Sequence, residues 1–412
     1  MNLLFIVQGE GRGHMTQALA LRAMLERAGH DVTRVLAGSV RHRELPDYFV
    51  EKIGAPVERF GSPGFSVGAN HRSIRPIGTI VENVARAPEY GQALRQIDDA
   101  MAAVRPDLVV TFYEPMAGIY QTLYRPDVPF VAIGHQYMFE HPAYTFAPGR
   151  RFDRSGLTLF TRLTAVGAAC KLALSLYPAP DLTDDRLYVL PPLLRKAVRS
   201  CAKEEPAREP FYLIYLLNRG YAEQVMDWHR EHPDVRLECF RDDPDAEDVV
   251  EHDETLRFHR LNDVTFLEMM ARCSGLACTA GFESVSEALY LGKPVLAVPV
   301  EGHFEQRCNA YEVEMLGAGI RADTFDLGLL ADYPVEHRLP TAAFRRWAAQ
   351  AEGRVIEVIE AVASGKRPPE RRSIHPTDAA YFDQDVNRDA DDDVDDTRVA
   401  QERCTYVTPA PP

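Results

Sequence analysis

Cys278-Thr279-Ala280-Gly281-Phe282-Glu283-Ser284-Val285-Ser286-Glu287-Ala288-Leu289 closes an apolar run, turns at a glycine and opens a helical pattern. Read outward, a strand over 275–278 ends here, Gly281 turns the chain, and a helix starts near Ser284. A helix start offers free N–H groups and a positive dipole end, and Ser284 adds a hydroxyl. Together they suit an anionic ligand. Glu287 lies three residues beyond Ser284, on the same side of the helix. Its carboxylate there can accept both hydroxyls of a ribose whose diphosphate rests on the helix start. A strand over 294–298 follows, then a polar loop and another helix. Glu305 and Gln306 at that helix start supply groups suited to sugar hydroxyls.

The same strand–glycine–helix design opens the chain. Gly9-Glu10-Gly11-Arg12-Gly13-His14 follows an apolar strand over 3–7 and leads into a helix over 16–28. Gly11, Arg12 and Gly13 form a ligand-facing loop on this reading. Glycines let backbone approach a ligand closely, and the carboxyl edge of an open α/β sheet is where ligands bind. The spacing is not that of a dinucleotide fingerprint, and no acidic residue ends the second strand (31–37). No GxxxxGK[ST] pattern exists either, so no bound cofactor is expected. His14 stands on the loop where it can titrate near neutral pH and deprotonate a hydroxyl.

Strand and helix alternate through the first half, with further strands at 106–112, 128–134 and 187–190. A helical stretch covers 80–104, and helix-like composition covers 157–176. Residues 191–210 are proline-rich and charged, the composition of a linker. Alternation restarts at 211–217 and continues with strands at 235–240 and 256–260. Helices are expected at 221–231, 264–273, 284–291 and 305–316, with a terminal helix at 341–365. The expected fold is α/β: two Rossmann-like doubly wound domains, 1–190 and 211–340, facing a cleft. Residues 366–412 lose the pattern. Eight Asp and one Arg fall within 383–396, which predicts a disordered acidic tail.

With these motifs in place, the chain resembles the GT-B glycosyltransferases, nearest the peptidoglycan GlcNAc-transferase and UDP-glycosyltransferase groups. In the peptidoglycan enzyme a glycine-rich motif ends in Gly-His, as Gly13-His14 does. That enzyme places Ser-Glu five positions after a glycine, as Ser286-Glu287 stand after Gly281. The plant and animal enzymes carry a Glu six positions after a signature glycine and an acidic-Gln pair contacting the donor sugar. Glu287 and the pair Glu305-Gln306 match those features. Two positions depart: Thr279 stands where plant enzymes have His, and Glu283 where they have Asn. The resemblance implies that Gly281 and Ser284 hold the donor diphosphate, Glu287 the ribose, and Glu305 and Gln306 the sugar, with Phe282 also on the donor side. It implies a nucleotide-diphosphate sugar donor, a UDP-sugar favoured, a hydroxyl acceptor, and His14 as the catalytic base or an acceptor-orienting residue.

Glu114 and His135 each follow a strand and are further candidates for the base or for orienting His14. Asn218 and Arg219 follow the first strand of the second half, where Arg219 could neutralise the departing diphosphate. With helix N–H groups and Arg219 available, no metal is required. A Gly- and Pro-rich loop at 61–80 suits an acceptor lid. The alternatives are a nucleotide-sugar 2-epimerase on the same architecture and a catalytically silent nucleotide-sugar-binding protein.

The chain has 412 residues, 46 basic and 61 acidic, for a net charge of −15. That balance disfavours nucleic acid as a partner. Seven scattered cysteines with no CxxC pair suit a reducing cytoplasm. No apolar run reaches the length of a membrane span. Against the global charge, 150–171 holds Arg150, Arg151, Arg154, Arg162 and Lys171 but a single acid, Asp153. Leu157, Leu159, Phe160, Leu163 and Val166 interleave with them. This stretch suggests peripheral contact with the inner face of the membrane, and with it a lipid-linked or cell-envelope glycan acceptor.

Overall fold

The computed structural model describes residues 1–39, 44–63, 87–149, 151–216, 219–241, 247–333 and 339–371. Two seven-stranded sheets carry the fold. The first contains β1 (Asn2–Gln8), β2 (Asp31–Ser39), β3 (Val57–Gly61), β4 (Leu108–Phe112), β5 (Phe130–Gly134), β6 (Cys170–Leu174) and β7 (Leu187–Leu190). Their spatial order is β3-β2-β1-β4-β5-β6-β7, and every neighbour pair is parallel. The apolar runs explain this: strands covered by helices on both faces read as continuous hydrophobic segments. Leu3 to Val7 are all fully buried.

The second sheet contains β8 (Tyr212–Leu216), β9 (Leu237–Arg241), β10 (Val249–Glu251), β11 (Leu256–Arg260), β12 (Gly275–Cys278), β13 (Val295–Ala297) and β14 (Gly319–Arg321). Its order is β10-β11-β9-β8-β12-β13-β14, parallel except for the β10–β11 edge pair. In each sheet the strand order reverses beside its first strand, between β1 and β4 and between β8 and β12. Open α/β sheets leave a ligand crevice at such a switch point, outside the carboxyl ends of the strands. His14 follows β1 and Gly281 follows β12, so each motif stands beside its own sheet's switch point.

One buried apolar cluster runs from Leu3 and Val110 in the first half to Phe240, Val285 and Val358 in the second. Smaller clusters cover the far faces. The halves are also tied at the surface: Arg27 grips Glu352 at 2.7 and 2.9 Å. The last helix, Ala351–Ala363, returns to the first half, where Arg354 Nη2 donates to buried Asp181 at 2.6 Å.

Several expectations need correction. The helix-like stretch 157–176 splits into a helix at Arg151–Thr164 and strand β6. Gly167 at φ +80° makes the turn between them, a left-handed conformation that glycine adopts readily. Cys170-Lys171-Leu172-Ala173-Leu174 holds no β-branched residue, so its composition alone looks helical. The segment 191–210 is not simply a linker. It buries Leu193, Leu194 and Val198 and forms the helix Lys196–Cys201. Residues 366–371 belong to the folded body. Asp181 and Arg371 exchange backbone and side-chain hydrogen bonds at 3.0 and 2.6 Å. The acidic run itself lies outside the described residues.

Candidate active site

A cavity of about 350 Å³ opens between the two halves, within the range of small-ligand sites. On the first side, Gly9 N donates to Gly38 O at 2.7 Å. A Cβ on Gly9 would stand 2.7 Å from that same oxygen, so only glycine lets β1 and β2 close here. The helix Arg12–Arg27 then begins at Gly11, with no side-chain cap. Its first turn lines the cavity with no side-chain cap across it. His14 lies in that first turn and lines the cavity, its ring stacked on Tyr113 at 5.6 Å between centroids. Burial lowers its pKa below the usual histidine value, against the opposing pull of Glu305 and of the Gln17 hydrogen bond. Its neutral imidazole is the resting form near pH 7. Tyr113 itself stands at φ +55°, a costly conformation for a bulky residue and the kind that clusters at active sites.

On the second side the helix Phe282–Leu291 also begins at a glycine, Gly281, without a side-chain cap. The sequence gives the turn to Gly281, but the structure gives it to Ala280. Ala280 stands at φ +54° while Gly281 is at φ −71°. Asn309 Nδ2 holds that turn by donating to Ala280 O at 3.0 Å. What Gly281 provides is space: a Cβ there would meet nothing within 4 Å. Ser284 and Glu287 line the same cavity. Glu287 is buried, and its Oε1 accepts from Arg195 Nη2 at 2.7 Å and Nε at 3.0 Å. Arg195 also reaches Asp263 at 3.3 Å, and Lys52 reaches Asp263 from the first half at 2.7 Å.

Of the residues singled out from sequence, Gly11, Arg12, Gly13, His14, His135, Gly281, Phe282, Ser284, Glu287, Glu305 and Gln306 all border this cavity. Some are already engaged. Glu305 Oε1 accepts from Gln136 Nε2 across the cleft at 2.9 Å, and Gln306 Oε1 accepts from Val300 N at 2.9 Å. With that oxygen engaged, Gln306 offers a ligand chiefly its amide N–H groups.

Two candidates for the base fail on geometry. Glu114 does not line the cavity. Fully buried, it turns back to cap the helix Pro115–Tyr124, with Oε1 accepting from Ser62 Oγ at 2.6 Å and Met116 N at 3.0 Å. Burial raises its pKa to about 8, so it is mainly neutral at pH 7. His135 borders the cavity, but both its nitrogens face protein groups. Nδ1 lies 2.7 Å from Leu174 O, and Nε2 lies 3.2 Å from Glu312 Oε2. The ring stacks on Phe282 with centroids 4.0 Å apart. Burial pulls its pKa down, but Glu312 and the Leu174 carbonyl outweigh that and leave it raised. His135 thus reads as an interdomain brace. Asn218, the side chain of Arg219 and most of the 61–80 loop lie outside the described residues.

Sequence reasoning missed Gln17, Tyr48, Tyr113, Arg195 and Asp263, all on the cavity wall. Arg195 was hidden by the linker-like composition around it. Tyr113 could have been flagged by its place beside Glu114 at a strand end.

The sequence model of glycosyl transferase family 1 matches residues 1–337. An uncharacterized glycosyltransferase of Methanosarcina acetivorans is 26% identical over 352 residues, 78% of this chain and 83% of that one. Among solved structures, LpCGTa in complex with UDP aligns with TM-score 0.58 and 15% identity, covering 88% of this chain and 99% of that one. A putative UDP-N-acetylglucosamine 2-epimerase from Listeria monocytogenes aligns with TM-score 0.59 and 13% identity, covering 90% and 98%. These structural likenesses show a shared fold.

Proposed function

The chain belongs to glycosyl transferase family 1 and has the GT-B fold; from that premise we propose that it moves a sugar from a nucleotide-diphosphate sugar, a UDP-sugar favoured, to a hydroxyl acceptor. One observation carries the reading. Two helix starts, one from each half and neither capped by a side chain, open on a single cavity. The second helix start, with Ser284, receives the diphosphate and stabilises its charge as it leaves. Glu287, held by Arg195, receives the ribose hydroxyls. Glu305 and the Gln306 amide face the donor sugar. His14 is the base. Its neutral ring takes the acceptor proton as the oxygen attacks the anomeric carbon.

A thermal-shift screen of nucleotides and nucleotide sugars tests donor binding, since a ligand of the native state raises Tm by mass action. UDP and UDP-sugars should raise Tm, and turnover should persist in EDTA, because helix N–H groups and side chains carry the leaving-group charge. The epimerase reading draws on the shared fold of the Listeria protein. Formation of UDP-ManNAc from UDP-GlcNAc without any acceptor would establish it and remove the transferase reading.

The acceptor side favours a lipid-linked hydroxyl. No described helix is long and apolar enough to cross a membrane. The helix Arg151–Thr164, however, exposes Phe152 by 94% and Leu159 by 60%, while Phe160 on the same helix lines the cavity. Exposed Leu163, Leu123 and Tyr124 extend the apolar face onto the helix packed beside it. Arg151 and Arg162 flank it. The protein should sediment with anionic liposomes at low salt, and Phe152→Ser with Leu159→Ser should abolish this. Equal recovery with neutral vesicles, or no binding at all, removes the lipid-linked acceptor.

A further inference from the structure

Glu283 belongs to the donor half, yet one of its oxygens is spent on the other half. Its Oε1 accepts from Gln17 Nε2 at 2.7 Å across the cleft. Gln17 is three residues past His14, and its Oε1 lies 3.4 Å from His14 Nδ1. Gly13 leaves the room for this approach, since a Cβ there would stand 3.3 Å from the Glu283 side chain. Glu283 is 8% exposed, borders the cavity, and its Oε2 has no hydrogen-bond partner among the described residues.

A primary amide has one donating and one accepting end. With the Gln17 amino group committed to Glu283, the end facing His14 can only accept. His14 must then donate from Nδ1, which leaves a lone pair on Nε2. The reversed amide would set its carbonyl against the Glu283 carboxyl and its amino group against Nδ1. The imidazole proton would move to Nε2, and the ring could not act as a base there. Resting on the transferase reading, we propose that Glu283 is a positioning residue: through Gln17 it holds His14 in the Nδ1–H tautomer that frees Nε2 for the acceptor proton. Because Glu283 and His14 stand on opposite sides of the cleft, the tautomer is set only when the halves are closed as they are here. Burial, with Glu287 nearby, raises the Glu283 pKa to about 8, opposed by Gln17, Arg195 and His135. The ionised carboxylate can only accept and so fixes the Gln17 amide; the neutral acid still accepts at Oε1 with its proton on Oε2, but holds the amide less strictly because it can also donate.

The test reads the tautomer directly by 15N NMR of the imidazole groups in substrate-free protein. The His14 signals are identified by their loss in His14→Gln. Wild type should show Nδ1 protonated and Nε2 bare. Gln17→Leu and Glu283→Leu should each shift His14 toward the Nε2–H form and lower kcat by about tenfold or more, with little change in donor KM. Glu283→Gln keeps an acceptor for Gln17 and should restore both the tautomer and most of kcat. An Nε2–H tautomer in wild type, or one unchanged in both leucine variants, overturns the proposal. Since the tautomer is read without turnover, an intact Nδ1–H signal in a protein that transfers no sugar would refute the transferase reading alone.

Discussion

His14→Ala should lower kcat by about 10²- to 10⁴-fold, the usual contribution of a positioned general base, while UDP-sugar affinity stays within about threefold of wild type, since a group acting only in the transition state lowers kcat and not donor binding. The reason is geometric. Of the three candidates for the base, Glu114 is turned away into a helix cap, and His135 is tied to Leu174 O through Nδ1 with its Nε2 turned toward Glu312. His14 lines the cavity, and among the described residues its Nε2 has no hydrogen-bond partner. Its pH profile has a definite sign. Burial lowers the His14 pKa, only partly countered by Glu305 and Gln17. The basic form is therefore retained across neutral pH, and kcat should fall only as pH drops below the ordinary histidine value. Stopped assays from pH 5 to 8 check this. A variant that keeps full kcat would remove His14 from the chemistry.

Gly281→Asp should separate stability from function. A Cβ at 281 meets no atom within 4 Å, and φ −71° suits any residue. Aspartate is also a preferred N-cap. It should leave Tm unchanged or raise the helix stability by a few tenths of a kcal/mol. The same carboxylate would occupy the place of the donor diphosphate and repel it at close range. At ~4 Å, two unit charges cost about 1 to 4 kcal/mol each pair, depending on local polarity. Donor affinity should drop by at least about a hundredfold. Gly281→Ala, which adds bulk without charge, should weaken binding far less. A stable Gly281→Asp protein that binds the donor normally would show that the diphosphate rests elsewhere.

Much of this was legible because glycine turns after buried strands are local signals. β1, β4, β5 and β12 could be read from their apolar runs, and the residues just beyond them from position alone. What the sequence hid depends on contacts made far along the chain. Glu114 and His135 follow strands as His14 does, yet each turns to a partner that position could not show: Ser62 for one, Leu174 and Glu312 for the other. Arg195 lies among prolines and charges, and becomes legible only when the chain folds Glu287, 92 positions further on, against it. The turn at 280 was assigned to glycine because glycine is the cheapest residue at positive φ. The structure keeps glycine one position later, where empty space matters more than backbone freedom. Strand β6 escaped because its five residues carry helix-favouring side chains. Parallel pairing with β5 and β7 overrides that preference.

Calorimetric titration of UDP into wild type and Gly281→Asp, side by side, is the most direct measurement. Wild type should bind UDP at one site with the variant at least about a hundredfold weaker, both proteins melting at the same temperature or the variant higher. Failure of wild type to bind UDP or any other nucleoside diphosphate, or equal binding by the two proteins, would contradict a donor seated on the start of the Phe282–Leu291 helix.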